Sequence, residues 1–302
     1  MKIFVAGASG AIGQPLIAEL IRRGHSVTAM THSDGGARLL EGMGATVARM
    51  SAFDGAAVEE AVLKSQAEVV IDELTALPKN PADLAAALPG DSKLRLEGGG
   101  NLHRAALASG VRRYIQQASG FFLKSGSGLA DESVGLALDA SPDVASSARL
   151  YTQLEARVLG SSKMEGMALR YGFFYGPNTW YYPGAGAAEL VKQQQFPIVG
   201  QGQAVWSWVH VEDAALATVA ALTAPSGVYN VVDDDPVPVS RWLPDFARWV
   251  GAPAPPHVSE DDARAAAGED AVYYGTKLRG ASNKKAREIL GFRPRRLEWL
   301  QG

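Results

Sequence analysis

Cysteine is absent from the 302-residue sequence. This excludes disulfide bonds, thiolate catalysis and zinc sites built on cysteine. Long apolar runs are also missing, since no stretch approaches the ~20 residues that a membrane-spanning helix needs. A formal net charge of -3 provides no electrostatic attraction to nucleic acid or to an anionic membrane surface. The composition therefore predicts no nucleic-acid partner and no membrane partner, and leaves a small molecule as the ligand.

Apolar residues, in contrast, are plentiful. They make up 47% of the chain, which is enough to bury a substantial core in one large domain or two. The first predicted strand begins at Lys2 and leaves no room for a signal peptide before it. We therefore expect a cytoplasmic protein.

Three glycines follow the first predicted strand at the spacing G-x-x-G-x-x-G, and an amphipathic helix follows them. Gly7 permits a tight strand-to-helix turn, Gly10 lets the backbone approach a pyrophosphate, and Gly13 lets the helix pack close to the strand. The free N–H groups and the positive dipole end of the helix then face the phosphates. The pattern predicts a dinucleotide site made of Gly7, Ala8, Ser9, Gly10, Ala11, Ile12 and Gly13.

Strand-like and helix-like segments alternate through the first two-thirds of the chain. The predicted strands after the first are Ser26–Met30, Thr46–Met50, Glu68–Ile71, Arg113–Gln117 and Met167–Tyr171. The predicted helices between them are Gly36–Met43, Gly55–Lys64, Leu94–Ser109 and Ala145–Leu159. This alternation predicts an α/β Rossmann fold with a doubly wound parallel sheet. We expect a dinucleotide-binding domain over 1–172, rejoined by about 207–232. A smaller C-terminal substrate-binding lobe would comprise 173–206 and 233–302.

Several longer motifs accompany the glycine loop. They are Gly99-Gly-Asn-Leu-His-Arg-Ala-Ala-Leu-Ala-Ser-Gly-Val-Arg-Arg-Tyr114, Leu169-Arg-Tyr-Gly-Phe-Phe-Tyr-Gly-Pro177, Val209-His-Val-Glu-Asp213 and Lys285-Ala-Arg-Glu-Ile-Leu-Gly-Phe292. With these motifs the chain resembles the extended (atypical) short-chain dehydrogenase/reductase superfamily, in its NAD(P)-dependent epimerase/dehydratase branch. The resemblance implies a nicotinamide cofactor, hydride transfer and a homodimer. It also implies that the segment around His210 is a structural strand-to-helix junction, so no metal site is expected.

The end of the second strand departs from the NAD-preferring members of that family, which carry an aspartate there. This chain has Thr31, followed by His32 and Ser33, with Arg38 further on. No carboxylate repels a 2′-phosphate at this place, so NADP(H) is favoured over NAD(H). The alternative is that these are ordinary solvated loop residues. The resemblance adds three more cofactor-binding residues: Ser51, Leu74 and Tyr171.

The catalytic helix departs from the family as well. The family pairs a tyrosine with a lysine four residues later, and the lysine lowers the pKa of the phenol. The nearest match on the expected helix is Tyr151, with Glu155 where the lysine should stand. If Glu155 instead matches a later glutamate of the family, Ser147 falls at the tyrosine position and Tyr151 at the lysine position, and both alignments lose the dyad. Ser119 occupies the family's Ser or Thr position. Relatives resembling progesterone 5β-reductase draw their lysine from the loop after the fifth strand, which here offers Lys124.

These substitutions leave alternatives open at each position. Tyr151 is either the proton donor or a structural aromatic residue, and Lys124 is either its partner or an exposed loop lysine. The Tyr-x-x-x-Lys spacing does occur as Tyr273 to Lys277, in the C-terminal lobe with a glycine inside it. We interpret that occurrence as a coincidence.

Aromatic residues dominate the segments expected to cover the cofactor. Trp206 stands where nucleotide-sugar enzymes of the family carry a phosphate-binding arginine, and a neutral ring cannot replace that charge. Aromatic walls with few charges suit an apolar substrate. The expected substrate-binding residues are Phe121, Phe122, Phe174, Trp180, Tyr181 and Trp206.

Three functions remain open at this point. The first is an NADP(H)-dependent oxidoreductase that acts on a small, largely apolar carbonyl or activated alkene. The second is an epimerase or dehydratase that recycles its cofactor. The third is a cofactor-binding redox sensor without catalysis, which the missing dyad favours. Net consumption of NADPH separates the first from the other two.

Overall fold

A seven-stranded parallel sheet forms the centre of the protein in the computed structural model, which describes residues 1–300. Its strands are β1 Lys2–Ala6, β2 Ser26–Thr31, β3 Thr46–Arg49, β4 Val69–Asp72, β5 Arg113–Ser119, β6 Glu165–Tyr171 and β11 Gly227–Val231. They lie in the order β11-β6-β5-β4-β1-β2-β3, and every neighbouring pair is parallel. The central strands β1, β4 and β5 are almost entirely buried because both faces of the sheet are covered.

Helices cover both faces of this sheet. Those of the first two-thirds are α1 Gly13–Arg22, α2 Asp34–Gly42, α3 Gly55–Ser65, α4 Leu84–Lys93, α5 Gly99–Ala108 and α6 Pro142–Leu159. Local signals start α2 and α3: Ser33 accepts a hydrogen bond from the Gly36 N–H, and Asp54 accepts one from the Ala57 N–H. Helix α1 buries Leu16, Ile17 and Leu20 against the sheet, as its apolar spacing predicts.

The strand order reverses between β1 and β4. The chain runs outward from β1 to β3 and then returns to place β4 on the other side of β1. Ligands of such sheets bind in the crevice at this reversal, beyond the carboxyl ends of the strands. The predicted doubly wound Rossmann fold is confirmed.

The rest of the chain forms three two-stranded sheets and further helices. The strands pair as β7 Phe173–Tyr175 with β10 Trp208–His210, β8 Ile198–Val199 with β13 His257–Val258, and β9 Val205–Trp206 with β12 Val237–Pro238. The helices are α7 Gly186–Lys192, α8 Val211–Ala220, α9 Val239–Trp249, α10 Glu260–Thr276, which is interrupted at Gly268, and α11 Lys284–Ile289. A second apolar core centred on Trp208, Trp242 and Phe246 joins most of these elements.

Several elements differ from their predicted bounds by one to three residues, and one helix differs by more. The sequence predicts a helix over Leu94–Ser109, but helical structure begins with a 3-10 turn at Pro81–Asp83, continues as α4 from Leu84 and passes through a π-helical turn, Leu94–Gly98, into α5. Pro89 and Gly90 are poor helix formers, and tertiary contacts override that local preference. Within residues 1–300, no helix has both the length and the apolarity to cross a membrane.

Candidate active site

Two glycines of the loop after β1 are fixed by packing. Gly7 has a φ of +77°, and a Cβ atom there would lie 2.3 Å from the carbonyl oxygen of Glu73. At Gly13 a Cβ would lie 2.4 Å from the carbonyl oxygen of Ala8. Any side chain at either position would therefore collide with backbone, so both glycines are needed for the loop to form at all.

Gly10 is different because its surroundings are open. It is exposed, and a Cβ there would meet only the carbonyl oxygen of Gly7, at 3.2 Å. Among residues 1–300 the N–H groups of Ala11 and Ile12, at the start of α1, donate no hydrogen bond. The loop thus presents free donors around a surface that a side chain would fill. This arrangement fits the pyrophosphate of a dinucleotide.

The residues after β2 divide into two kinds. Thr31 is buried, and its Oγ1 accepts a long hydrogen bond of 3.4 Å from the Ser33 N–H. Ser33 Oγ accepts from Gly36 at 3.1 Å, so both hydroxyls serve the start of α2. His32 and Arg38 are exposed, and no ion pair in the described part of the chain involves Arg38.

The other predicted cofactor residues occupy distinct environments. Ser51 is exposed, and its Oγ accepts from the Phe53 N–H at 3.2 Å. Leu74 is buried directly after β4, at the reversal point of the sheet. The Tyr171 side chain is buried in the core, where its hydroxyl lies 2.6 Å from Thr218 Oγ1. Only the backbone of Tyr171 faces the neighbouring loop, since its carbonyl accepts from Gly120 at 2.7 Å.

A carboxyl group is buried beneath the glycine loop. Glu73 is 5% exposed, and its Oε1 accepts a 3.1 Å hydrogen bond from the Tyr171 hydroxyl. Its Oε2 is buried without a partner among the described residues. Burial raises the pKa of Glu73 to about 8, although the hydrogen bond from Tyr171 opposes the rise. The group therefore carries a proton at neutral pH.

The predicted catalytic residues come from β5, α6 and the loop between them. Ser119 ends β5 and is buried, and its Oγ accepts a 3.4 Å hydrogen bond from the Phe121 N–H. Tyr151 lies half-buried in the middle of α6, and its hydroxyl forms no hydrogen bond within residues 1–300. Lys124 is on an exposed stretch, and no contact joins its side chain to Tyr151 in this part of the chain. Burial raises the pKa of Tyr151.

Glu155 has a structural partner of its own. It forms a buried, bidentate ion pair with Arg170 of β6, with N–O distances of 2.6 and 2.8 Å. The glutamate at the family's lysine position therefore anchors α6 to the sheet.

A buried arginine instead lies against Tyr151. Arg95, in the π-helical turn, has its guanidinium carbon 5.3 Å from the centre of the Tyr151 ring. Its Nε donates to Asp91 Oδ2 at 2.7 Å, and its Nη1 donates to Gln117 Oε1 at 3.1 Å. Sequence analysis missed Arg95 because it lies far from Tyr151 in the chain and carries no motif of its own.

The aromatic residues form a stack beside this group. Phe173 lies between Phe121 and Trp206, with ring centres 4.1 and 4.0 Å apart and interplanar angles of 21° and 18°. Tyr274 closes one end, where its carbonyl accepts from Trp206 Nε1 at 2.9 Å. Phe122 connects the group to Tyr151, with ring centres 5.8 Å apart. Sequence analysis missed Tyr274, although the tyrosine pair at 273–274 was a usable signal.

Three other predicted substrate residues, Trp180, Tyr181 and Phe174, are not part of the stack of Phe121, Phe173 and Trp206. Trp180 donates its Nε1–H to the carbonyl of Pro78 at 2.8 Å. Tyr181 is buried in the second core, with its ring centre 4.8 Å from that of Trp208. Phe174 points to the opposite side of its strand and packs against Tyr171.

His210 caps α8 by accepting from the Glu212 N–H at 3.2 Å.

Comparison with known proteins identifies the family. The model of the NAD dependent epimerase/dehydratase family matches residues 3–232. The chain belongs to this family. The match runs from β1 through β11 and so includes the glycine loop, Tyr151 and the aromatic stack up to Trp206.

Relatives span the chain over its full length. A 3-diazoavenalumate denitrifying reductase from Streptomyces sp. is 38% identical and covers 100% of this chain and 99% of its own. A UDP-glucose 4-epimerase from Thermus thermophilus, solved in complex with NAD, has a TM-score of 0.72 at 23% identity and covers 99% of this chain and 96% of its own. DesIV, a dTDP-glucose 4,6-dehydratase from Streptomyces venezuelae solved with NAD, has a TM-score of 0.75 at 16% identity. It covers 99% of this chain and 93% of its own. The two solved structures show that the fold is shared.

Proposed function

We propose that the protein is an NADP(H)-dependent reductase that transfers hydride to a small, largely apolar carbonyl compound or activated alkene. The observation that carries this proposal is the ring stack of Phe121, Phe173 and Trp206 beside Tyr151. Phe121 and Phe173 are partly exposed, and the apolar rings offer no cation to a phosphate group. Such a wall favours an apolar or aromatic substrate over a nucleotide sugar.

Exposed basic groups after β2 support NADP(H) as the cofactor. His32 and Arg38 are accessible, and Asp34, the nearest carboxylate in sequence, is paired with Arg49 at 2.9 Å. A 2′-phosphate beside this turn would meet donors and no uncompensated carboxylate. Ser51 and Leu74 would border the adenine and nicotinamide ends.

The cofactor and the residues at the site have separate roles in the proposed reaction. Bound nicotinamide supplies the hydride. Tyr151 donates the proton that the substrate oxygen requires, because its hydroxyl forms no hydrogen bond within residues 1–300 and its ring centre lies 5.8 Å from that of Phe122. Ser119, at the end of β5, orients the same oxygen by a hydrogen bond. Lys124 is the lysine that the resemblance offers as a partner of Tyr151. It would have to move from its exposed position to reach that residue.

The relative of 38% identity is a reductase of a diazo compound. This similarity favours net reduction of a substrate over epimerisation or dehydration with a recycled cofactor. The match extends over the whole chain and so includes the lobe residues that we expect to contact the substrate. An aryl diazo compound therefore belongs beside aromatic aldehydes and enones among the substrates to be tried.

The test begins with calorimetric titration of NADPH and NADH into the purified protein. NADPH consumption is then measured at 340 nm against aromatic aldehydes, enones and an aryl diazo compound. We expect tighter binding of NADPH and turnover of at least one class. Tyr151→Phe should reduce kcat by a factor of about 100 or more, with Tyr182→Phe as the matched control. Binding of neither nucleotide would contradict the proposal. Binding without any turnover would favour the redox sensor.

A further inference from the structure

Arg95 is a charged residue in an unusual place. It is 3% exposed, and its place on the π-helical turn directs it away from solvent. A buried cation is tolerated only when it is paired and hydrogen-bonded. Asp91 provides that pairing at 2.7 Å, and the Asp91 carboxylate is itself held by the Ala76 N–H at 2.6 Å. π-Helical turns occur frequently at functional sites.

Three contacts hold the guanidinium against the phenol of Tyr151. Asp91 binds Nε, Gln117 of β5 binds Nη1, and the centre of the Tyr151 ring lies 5.3 Å from the guanidinium carbon. Within residues 1–300, no hydrogen bond involves Nη2 of Arg95. The guanidinium is therefore rigidly placed, and the donor capacity of Nη2 is left over.

No other cation in the described part of the chain contacts Tyr151. Lys124 is exposed, and the position four residues after Tyr151 carries Glu155, which is bound to Arg170. The charged or titratable groups that act on Tyr151 are Arg95, the more distant Asp91 and the phenol of Tyr274.

We infer that Arg95 is a positioning residue that supplies the positive charge which this chain's active-site tyrosine lacks from its own helix. The inference rests on the proposed function, because it assumes that Tyr151 donates the proton. Proton donation leaves a phenolate, and a guanidinium held 5.3 Å from the centre of the ring stabilises that anion. Arg95 provides this positive charge from the π-helical turn between α4 and α5. The pKa of Tyr151 is consistent with this role, since burial raises it and Arg95 opposes the rise.

The test measures the ionisation of residue 151 directly and needs neither cofactor nor substrate. Fluorotyrosine is placed at position 151 by codon suppression, because fluorination brings phenol ionisation into the pH range of a folded protein. Fluorine NMR then follows its titration. Arg95→Gln should lower its acid ionisation constant by a factor of about 10 or more. Arg95→Lys should retain most of the wild-type value. Arg149→Gln, an exposed arginine on the same helix, should leave it unchanged.

Asp91→Asn provides the opposite perturbation, although it leaves the buried Arg95 without its anion. It removes the negative charge that opposes Arg95, so the ionisation constant should rise. The double variant Asp91→Asn/Arg95→Gln buries no charge at either position and covers the case in which a single variant does not fold; its ionisation constant should also fall below that of wild type. A purely structural role would move both single variants in the same direction. Equal ionisation constants for wild type and a folded Arg95→Gln, or no rise in Asp91→Asn, would overturn the inference.

Failure of the proposed function would be distinguishable. If no carbonyl, alkene or diazo compound is reduced, the NMR titration still reports whether Arg95 acts on Tyr151. If a substrate is found, Arg95→Gln should displace the alkaline limb of the kcat profile while KM changes little. Arg95→Lys should restore the profile.

Discussion

Single residues in this protein show how one sequence pattern can hide different physical requirements. Gly7 and Gly13 are glycine because any Cβ would collide with backbone, whereas Gly10 is open to solvent and meets only one carbonyl oxygen. The G-x-x-G-x-x-G pattern therefore mixes two positions required for folding with one position that folding leaves open and that we expect the ligand to require. Substitution can separate the two requirements.

Gly10→Ala is expected to fold normally but to bind nucleotide poorly. The new Cβ contacts only Gly7 O at 3.2 Å, so the free energy of unfolding should change by less than about 1 kcal/mol. NADPH affinity should fall by a factor of about 10 or more, because the methyl group occupies the pyrophosphate surface. Gly13→Ala, with a 2.4 Å collision, should lose about 2 kcal/mol or more of stability. Urea denaturation and calorimetry measure the two quantities. Equal stability losses in the two variants would refute the distinction.

Glu73 makes stability depend on pH. Its carboxyl has a pKa near 4.5 when unfolded and about 8 when folded, because burial disfavours the anion. Between these values the folded protein holds a proton that the unfolded chain has released. The contribution is therefore complete below pH 4.5 and is lost as the pH rises through 8. The loss is on the order of 3 to 5 kcal/mol.

Glu73→Gln should remove this dependence, because an amide cannot ionise. Urea unfolding at pH 5 and pH 9 should show a large fall in the free energy of unfolding for wild type and a smaller fall for the variant. Glu59→Gln, at an exposed position, is the control and should behave as wild type. Parallel pH profiles for wild type and Glu73→Gln would show that Glu73 is not the group responsible.

At the scale of secondary-structure elements, the turn from β2 into α2 is where we expect the preference between NADP(H) and NAD(H) to be set. Thr31 and Ser33 are committed to starting α2, so the exposed basic groups of the turn remain available to a ligand. The less exposed hydroxyls of the turn therefore support the start of α2, and the exposed basic residues are left to contact a ligand. Substitution of Arg38 should therefore change nucleotide binding without disturbing the start of α2.

Arg38→Ala should weaken NADPH binding by a factor of about 10 or more and leave NADH binding unchanged. The loss corresponds to one charge-assisted contact with a phosphate, worth about 1.5 to 3 kcal/mol. Calorimetric titration with both nucleotides provides the measurement. Arg38→Lys should retain part of the preference. Equal weakening for both nucleotides would contradict a contact with the 2′-phosphate.

On the scale of the whole molecule, the sheet and the second core meet above the carboxyl ends of the strands. Trp180 links them, since its Nε1–H donates to the carbonyl of Pro78 at 2.8 Å. Gly186 adds close packing, because a Cβ there would lie 2.3 Å from Pro81 Cδ. The segment after β4 is thereby held against the start of α7. The homodimer implied by the resemblance remains a prediction, which sedimentation velocity would test.

Trp180→Phe should loosen this junction without disturbing the sheet. The variant keeps most of the ring contact and loses one hydrogen bond, worth about 1 kcal/mol. Hydrogen–deuterium exchange should accelerate in residues 75–83 and 176–186, while β1, β4 and β5 keep wild-type protection. Unchanged exchange in both segments would show that the hydrogen bond does not hold the junction.

The sequence by itself determined the features that rest on local patterns. The alternation of apolar strands and amphipathic helices predicted the doubly wound sheet, and the spacing of Gly7, Gly10 and Gly13 predicted the dinucleotide loop. Only the tertiary structure decided which distant side chains meet. It placed Arg95 against Tyr151, bound Glu155 to Arg170 and inserted Phe173 into the ring stack. Periodicity and turn chemistry act over a few residues, whereas these contacts join elements that become neighbours only when the sheet assembles.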